Sequence, residues 1–432
     1  MSFLYDFLST LNSFLWNGPL LFLLLGIHLL LTLRLRFVQR KLPAALRLSV
    51  GGDKKHAFRS LTTALAATLG TGNIVGVSSA IALGGPGAVF WCWLTGILGM
   101  ATAYGECYLC MLHRKPDESG TLRGGTMYVL EHALKNKKAG RLFAYLLLIA
   151  SFGIGCSTQA GTVTETVSAL ADISPELTGL FLVLAVGYVI LHGSKAITKF
   201  CSVLVPLMAI LYLLACLILL AMNAPYIGPA LRLILTSAFS PTAALGGIAG
   251  GSFLLSARYG IARGLFTNEA GIGTAPLAFT ENKESSPEKA ALLSMSAVFW
   301  DTVILCALTG LVIISSLLRE PSLAEHYTAT TLASAAFSLL PYGELLLGIS
   351  LIAFAYATLI GWSYFGAQAV TYLFGESSLT VYRLCYLCMI FLGSVLSLPL
   401  IWELTDFINA CMVLPNVLAL FLLRKTVKAP TS

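Results

Sequence analysis

Charge is what this chain has least of. Asp, Glu, Lys and Arg make up 11% of its 432 residues, where soluble domains carry about 25%. Patterns that carry chemistry are just as scarce. None of the six histidines belongs to an HExxH or a clustered metal set, and no nucleophile–base pair is visible, so the sequence argues against an enzyme. Long polar stretches are missing too, leaving no room for a soluble domain between the apolar runs. Met1–Trp16 lacks a basic start and a small-residue cleavage site, and does not read as a removable signal peptide. The ten cysteines include two pairs at metal-like spacing, Cys107/Cys110 and Cys385/Cys388. Both sit in apolar helical stretches, where positions i and i+3 are simply neighbours, and a zinc site needs two more soft ligands nearby.

What the chain has is apolar length. Its hydrophobic fraction is 57%, and stretches of about 18 or more apolar residues recur, the mark of a polytopic membrane protein. Eleven spans are expected: 18–37, 60–83, 87–112, 142–171, 177–193, 198–222, 244–273 (broken), 290–318, 343–373, 383–402 and 405–423. With the N-terminus outside and the C-terminus inside, alternate assignment of loops leaves only Arg232 and Arg319 in outer loops. Arg34, Arg36, Arg40, Lys41, Arg47, Lys54, Lys55 and Arg59 fill the first inner loop, and Arg114, Lys115, Arg123, Lys135, Lys137, Lys138 and Arg141 the second. This is the asymmetry of the positive-inside rule. It accounts for the net charge of +7 through lipid and topology, without nucleic acid.

Two spans are interrupted by glycine-rich polar runs, Leu69-Gly70-Thr71-Gly72-Asn73 and Phe266-Thr267-Asn268-Glu269-Ala270-Gly271-Ile272-Gly273. Lipid offers no hydrogen bond to replace one that a helix loses, so non-helical backbone at that depth must lie inside protein or beside a water-filled cavity. Paired breaks in corresponding positions of two halves point to the substrate and ion site of a secondary transporter. The organisation expected is 1–59 as an extra helix and basic loop, 60–222 as a first five-helix repeat, and 223–432 as a second, inverted one with an external linker. The first span looks peripheral. The outer loops 223–243 and 319–342 hold apolar pieces, Leu231–Phe239 and Tyr327–Leu340, readable as gating helices or as caps on the bundle.

At the first break, Gly70 and Gly72 free backbone groups, with amides suited to a carboxylate at the positive end of the resumed helix. The carbonyls of 66–69 suit an ammonium or Na⁺, a hard cation that prefers oxygen, and Thr71 and Asn73 add side-chain oxygens. The alternative is close packing through Gly72…Gly76, a small-xxx-small pair. At the second break Phe266 could lid a small substrate, Thr267 and Asn268 offer oxygens, and Gly271 exposes backbone. Glu269 binds a cation or pairs with Arg258 or Arg263 to hold the break in shape. Gln159 serves substrate or a helix–helix hydrogen bond. Asp301 pairs with a basic group or couples to an ion, Glu106 sits where it could snorkel, and His28 could face a neighbouring helix.

These residues resemble a known family, the sodium:alanine/glycine symporters. Its diagnostic run is similar to Gly84-Gly85-Pro86-Gly87-Ala88-Val89-Phe90-Trp91-Cys92-Trp93, with cysteine where methionine is usual. Arg263-Gly264-Leu265-Phe266-Thr267-Asn268-Glu269-Ala270-Gly271-Ile272-Gly273-Thr274-Ala275-Pro276 resembles the second signature. Gly361-Trp362-Ser363-Tyr364-Phe365-Gly366 with Tyr372-Leu373-Phe374-Gly375 resembles the third, and Asp406…Asn409…Pro415-Asn416 also fits. The resemblance implies an all-α polytopic membrane protein of the leucine-transporter type, with two inverted five-helix repeats plus one N-terminal helix, eleven transmembrane helices in all. It implies Na⁺-coupled uptake of alanine or glycine, in some members of the D-isomer. Gly70-Thr71-Gly72-Asn73 and Phe266-Thr267 then correspond to the unwound parts of core helices 1 and 6. Sodium falls to Ala66 and Leu69 carbonyls with the Thr358 hydroxyl. Two departures stand out. Ala357 occupies the neighbouring hydroxyl position, which removes one oxygen and leaves H⁺ as the alternative coupling ion. Cys156 and Gly161 replace asparagines around Gln159, which bears on substrate identity.

The function expected is therefore an inner-membrane symporter of small neutral amino acids, with substrate at Thr71, Gly72, Asn73, Gln159, Phe266, Thr267, Asn268, Gly271, Ile272 and Trp362, and no obligatory protein partner. Phe266, Ile272 and Trp362 are expected to keep the side-chain pocket small. A membrane enzyme, or a sensor or channel of the same fold, is the rival class.

Overall fold

The computed structural model describes residues 2–16, 18–50, 55–117, 120–239, 253–281, 285–323, 328, 331–396 and 399–430. Apolar side chains in lipid leave the backbone to satisfy itself, so nearly every long element is a helix. In chain order these are α1 (Ser2–Trp16), α2 (Pro19–Arg34), α3 (Leu42–Val50), α4 (Lys55–Thr68), α5 (Val75–Gly84) and α6 (Gly87–Leu112). Then come α7 (Lys137–Ala171), α8 (Pro175–Ile190), α9 (Ser194–Met222), α10 (Ala224–Ser237), α11 (Phe253–Asn268), α12 (Leu277–Thr280) and α13 (Pro287–Arg319). The chain closes with α14 (Leu332–Phe337), α15 (Gly343–Phe374), α16 (Leu379–Val395) and α17 (Pro399–Leu422).

Among the described residues eight helices are long and apolar enough to cross a membrane. A ninth span is the pair His56–Thr68 and Thr71–Gly84, bent by 65°. Each of the eleven expected spans contains helix, α2, α8 and α11 having 16 residues each. The start of the seventh span, 244–252, positions 397–398 of the tenth, and Tyr327, Ala329 and Thr330 of the second outer piece lie outside the described residues.

Helix starts follow local chemistry. Ser174 and Ser286 accept hydrogen bonds from the amides of Leu177 and Lys289, with Pro175 and Pro287 at the first helical position, where no amide is needed. Packing in lipid has no hydrophobic drive between helices, so close approach relies on small residues. A Cβ on Gly260 would lie 2.2 Å from the Ala88 carbonyl oxygen, and one on Gly264 3.0 Å from that of Cys92, so α11 lies directly on α6. In the same way a Cβ on Gly361 would meet the backbone of Ala66 and Ala67 at 2.7–3.0 Å, pressing α15 against α4.

The first span is not peripheral. Leu24 of α2 fills the space beside Gly271, and His28, fully buried, hydrogen-bonds through Nδ1 with the Thr102 hydroxyl at 2.7 Å. The loop after α6 forms a two-stranded hairpin, β1 (Lys115–Pro116) with β2 (Leu122–Arg123). Arg123 there donates to Asp117 (2.8 Å), Glu281 (2.5 Å) and Glu376 (2.6 Å), tying the loops after α6, α12 and α15 together. Burial alone lowers this guanidinium's pKa, but bonds to Asp117 and Glu376 and the charge of Glu281 outweigh it, so the net shift is upward.

Candidate functional site

The first break begins where Gly70 stops following the helix. Its amide turns to the Thr68 carbonyl at 2.8 Å, which releases the Ala66 carbonyl from its usual i+4 partner. Thr71–Asn73 then forms one tight 3₁₀ turn leading into α5, with the amides of Thr71 and Gly72 at its open start. The Leu69 carbonyl lies 3.5 Å from the Thr358 hydroxyl on α15, which also donates to the Phe354 carbonyl at 3.0 Å. Ala357, buried beside it, has no oxygen to add.

A cavity of about 320 Å³ opens at this break, at the small end of the range usual for ligand pockets. Its wall contains Thr71, Gly72, Gln159, Phe266, Thr267, Trp362 and Thr358, all named from the sequence, together with Ala67, Thr68, Gly70, Val75, Gly76, Ser79, Ile154, Thr158, Arg263 and Glu269. Gln159 accepts from the Thr71 hydroxyl at 3.4 Å and donates to the Ile154 carbonyl at 3.2 Å. That second bond is possible because α7 loosens to a π-turn over Gly153–Ser157, a distortion frequent at functional sites. Trp362 packs on Gly155, where a Cβ would lie 2.3 Å from its own. Phe266 meets Trp16 of α1, ring centroids 5.2 Å apart. Ala66 and Leu69 are buried just behind the wall.

Four residues expected at the site stand back from this cavity. Asn73 turns away: its Nδ2 donates to Asp301 Oδ1 at 2.6 Å and to the Asp301 carbonyl at 3.2 Å, while its Oδ1 accepts from the Gly70 amide. It shapes the break from behind, because a buried carboxylate needs donors and a distorted backbone needs acceptors. Asn268 caps its own loop, accepting from the Ala270 amide at 2.9 Å. The Gly271 amide donates to Glu106 at 2.9 Å, and its carbonyl accepts from Asn416 at 2.9 Å. Ile272 is buried, its amide bonded to the Glu269 carbonyl.

The second break is therefore satisfied by protein. Glu269, Gly271 and Gly273 adopt positive φ (53°, 98° and 93°), which glycine takes at little cost. Around them, Asn416 Nδ2 donates to Glu106 at 2.5 Å, Thr126 donates to the Gly273 carbonyl at 3.1 Å, and Thr274 donates to Glu269. Two separated sequence motifs, the 263–276 run and Asn416, meet here on Glu106, which therefore does not snorkel.

Arg263 was the residue least well placed by sequence. Its guanidinium lies in a notch formed by Gly72 and Gly76, where a Gly76 Cβ would sit 1.7 Å from Cζ. Among the described residues it forms no ion pair with Glu269. The Gly72…Gly76 spacing was a legible signal of close packing; what packs there is an arginine.

The Ala66 and Leu69 carbonyls and the Thr358 hydroxyl present oxygen, the atom a hard monovalent cation prefers. The model of the sodium:alanine symporter family matches residues 1–432. The chain is 42% identical to the sodium/alanine symporter AgcS of Methanococcus maripaludis over 443 residues, covering 99% of this chain and 97% of that protein. Its backbone is similar to MhsT solved with L-phenylalanine (TM-score 0.58, 15% identity, 84% of this chain and 88% of that one). It is also similar to a Na⁺-coupled sialic acid symporter (TM-score 0.57, 13% identity, 95% and 87%). Both likenesses give the leucine-transporter fold. A helix-break cavity and a match along the whole chain lead to one conclusion: the protein belongs to the sodium:alanine symporter family and is a Na⁺-coupled amino-acid symporter, not an enzyme.

Proposed function

We propose that the chain imports small neutral amino acids, alanine and glycine and also D-alanine, by alternating access across the inner membrane. The N-terminus lies outside and the C-terminus in the cytoplasm; residues 60–222 and 223–432 act as inverted halves, and 1–59 supplies the extra helix. The observation that carries this reading is the 320 Å³ cavity at the first break. The Thr71 and Gly72 amides and the Thr71 and Thr267 hydroxyls lie at hand there for a zwitterion, while Gln159, Phe266 and Trp362 limit its size. The amides of the second break are already used by Asn268, Glu106 and Glu269, so the substrate depends on the first break for backbone contacts.

Na⁺ is held by Ala66 and Leu69 carbonyls and the Thr358 hydroxyl in this reading. An ion that orders the break lowers the cost of binding substrate, and linkage makes the effect reciprocal. The buried methyl of Ala357, where a second hydroxyl is expected, supports a second reading in which H⁺ drives transport together with Na⁺. Radiolabelled alanine and glycine uptake into vesicles, with sodium and pH gradients imposed separately, decides between them. Accumulation driven by inward Na⁺ and indifferent to pH supports the first reading, and Na⁺-driven accumulation that a pH gradient enhances supports the second. Binding without accumulation under either gradient fits a sensor and ends the proposal.

A further inference from the structure

We propose that Arg263 is the carboxylate receptor of the substrate site, an inference that rests on the symport reading above. Arginine within a membrane-spanning helix is costly and calls for a counter-charge. Here Arg263 is mostly buried and belongs to the cavity wall. Among the described residues it donates no side-chain hydrogen bond and has no carboxylate oxygen within 4.0 Å. Its Nε is fully enclosed and unpaired. Asp301 does not answer it, because that carboxylate is already held by Asn73 and Thr302. Glu269, also in the cavity wall, is held by Thr274.

The cation is also held in place. Gly72 and Gly76 leave a flat recess in which the guanidinium sits, with Nη2 2.2 Å from a would-be Gly72 Cβ and Nη1 2.2 Å from a would-be Gly76 Cβ. Any larger residue at either position would push it out. A planar fork of five donors, fixed at the rim of a small polar cavity and lacking an acceptor, matches a carboxylate, which it can grip with two parallel bonds. The α-carboxylate of the bound amino acid supplies the missing acceptor, beside the amides of Thr71 and Gly72. Selection for amino acids over amines follows, because a ligand without the anion leaves the guanidinium unpaired.

Equilibrium binding to purified protein tests this, with alanine and its neutral-carboxyl analogue alaninamide as probes. Arg263→Gln is expected to weaken alanine at least about tenfold, the loss typical of one charged hydrogen bond, while leaving the weaker alaninamide binding unchanged. Arg263→Lys, a point charge without the fork, is expected to fall between. Gly76→Ala keeps the arginine but blocks its recess and is expected to reproduce the selective loss, which guards against a variant that fails only because the cation is gone. Alanine binding unchanged in Arg263→Gln overturns the inference while leaving symport intact. So does an equal loss of both probes, or a wild-type alanine affinity that falls on replacing chloride with gluconate in an arginine-dependent way. Wild-type protein that binds neither alanine nor glycine overturns the symport reading and this inference with it.

Discussion

Asn73 and Asp301 form a contact that neither residue's neighbours in sequence reveal. The carboxamide bridges the Gly70 amide to a carboxylate 228 positions later, so its loss has two effects. Asn73→Ala leaves a buried carboxylate with one donor fewer, at a cost of about 1–3 kcal/mol, and frees the backbone turn that bounds the cavity. Lower thermal stability in detergent and strongly reduced cation-dependent uptake are expected together, with insertion intact; wild-type uptake would refute the role. Thr267→Ala, by contrast, removes a cavity hydroxyl that, among the described residues, is bonded only to the Arg263 carbonyl. It is expected to raise the KM for alanine with little change in stability. At the proposed sodium corner, Ala357→Ser adds an oxygen next to Thr358 and should lower the Na⁺ concentration for half-maximal uptake, whereas Thr358→Val should raise it. An unchanged sodium dependence in both would remove this corner from the cation site. Gly70, Thr71 and Gly72 were legible because helix-breaking and polarity coincide in them. Asn73 and Asn268 were not separable from true wall residues, since an amide that supports a loop and one that binds a ligand look alike in sequence.

Helices in this chain are positioned by what they lack. Gly260, Gly264 and Gly361 remove side chains where α11 meets α6 and α15 meets α4, and the broken segments are set by those contacts. The second break is the clearest case. Its glycines and Glu269 announced non-helical backbone, and the structure has it there, but Glu106, Thr126 and Asn416 take up the backbone groups of Gly271 and Gly273. Hydropathy could place each of those residues in an element, yet not bring the elements together. Gly273→Ala combines a strained positive φ with a Cβ 2.5 Å from the Thr126 hydroxyl and 2.9 Å from Asn416. A destabilisation of about 1–3 kcal/mol from the backbone alone is expected, read as earlier loss of the monodisperse peak on heating. Unaltered melting would show that the loop tolerates rearrangement.

Across the whole molecule, the loops that begin from separate parts of the bundle are joined by Arg123. The three carboxylates it binds come from the loops after α6, α12 and α15, and Gln368 of α15 also donates to Glu281 at 2.6 Å. Beneath this knot lies a second cavity of about 310 Å³, whose wall includes Ser363 and Arg383. Removing the arginine should bias the protein toward a form open on that side. In an Arg123→Ala background, a cysteine at Ser363 is expected to react with a polar thiol reagent several-fold faster, in line with a coupling of about 1–3 kcal/mol. Equal rates with and without Arg123 would exclude a gating role. Transport should slow in the same variant, since alternating access needs both ends to close.

Composition and periodicity by themselves determined that this is a helical membrane protein with broken spans and a basic bias in alternate loops, because lipid penalises unpaired backbone and charge wherever they occur. Motif order determined the family for the same reason that helix-breaking glycines cannot be moved. Which polar groups face the cavity was decided only in three dimensions. Satisfying a buried donor or acceptor depends on partners hundreds of residues away, as with Asn73 and Asp301, or Gly271, Glu106 and Asn416. The place of Arg263 belongs to the same class: its spacing from Glu269 suggested an ion pair, but the recess of Gly72 and Gly76 on another helix holds it at the cavity rim instead.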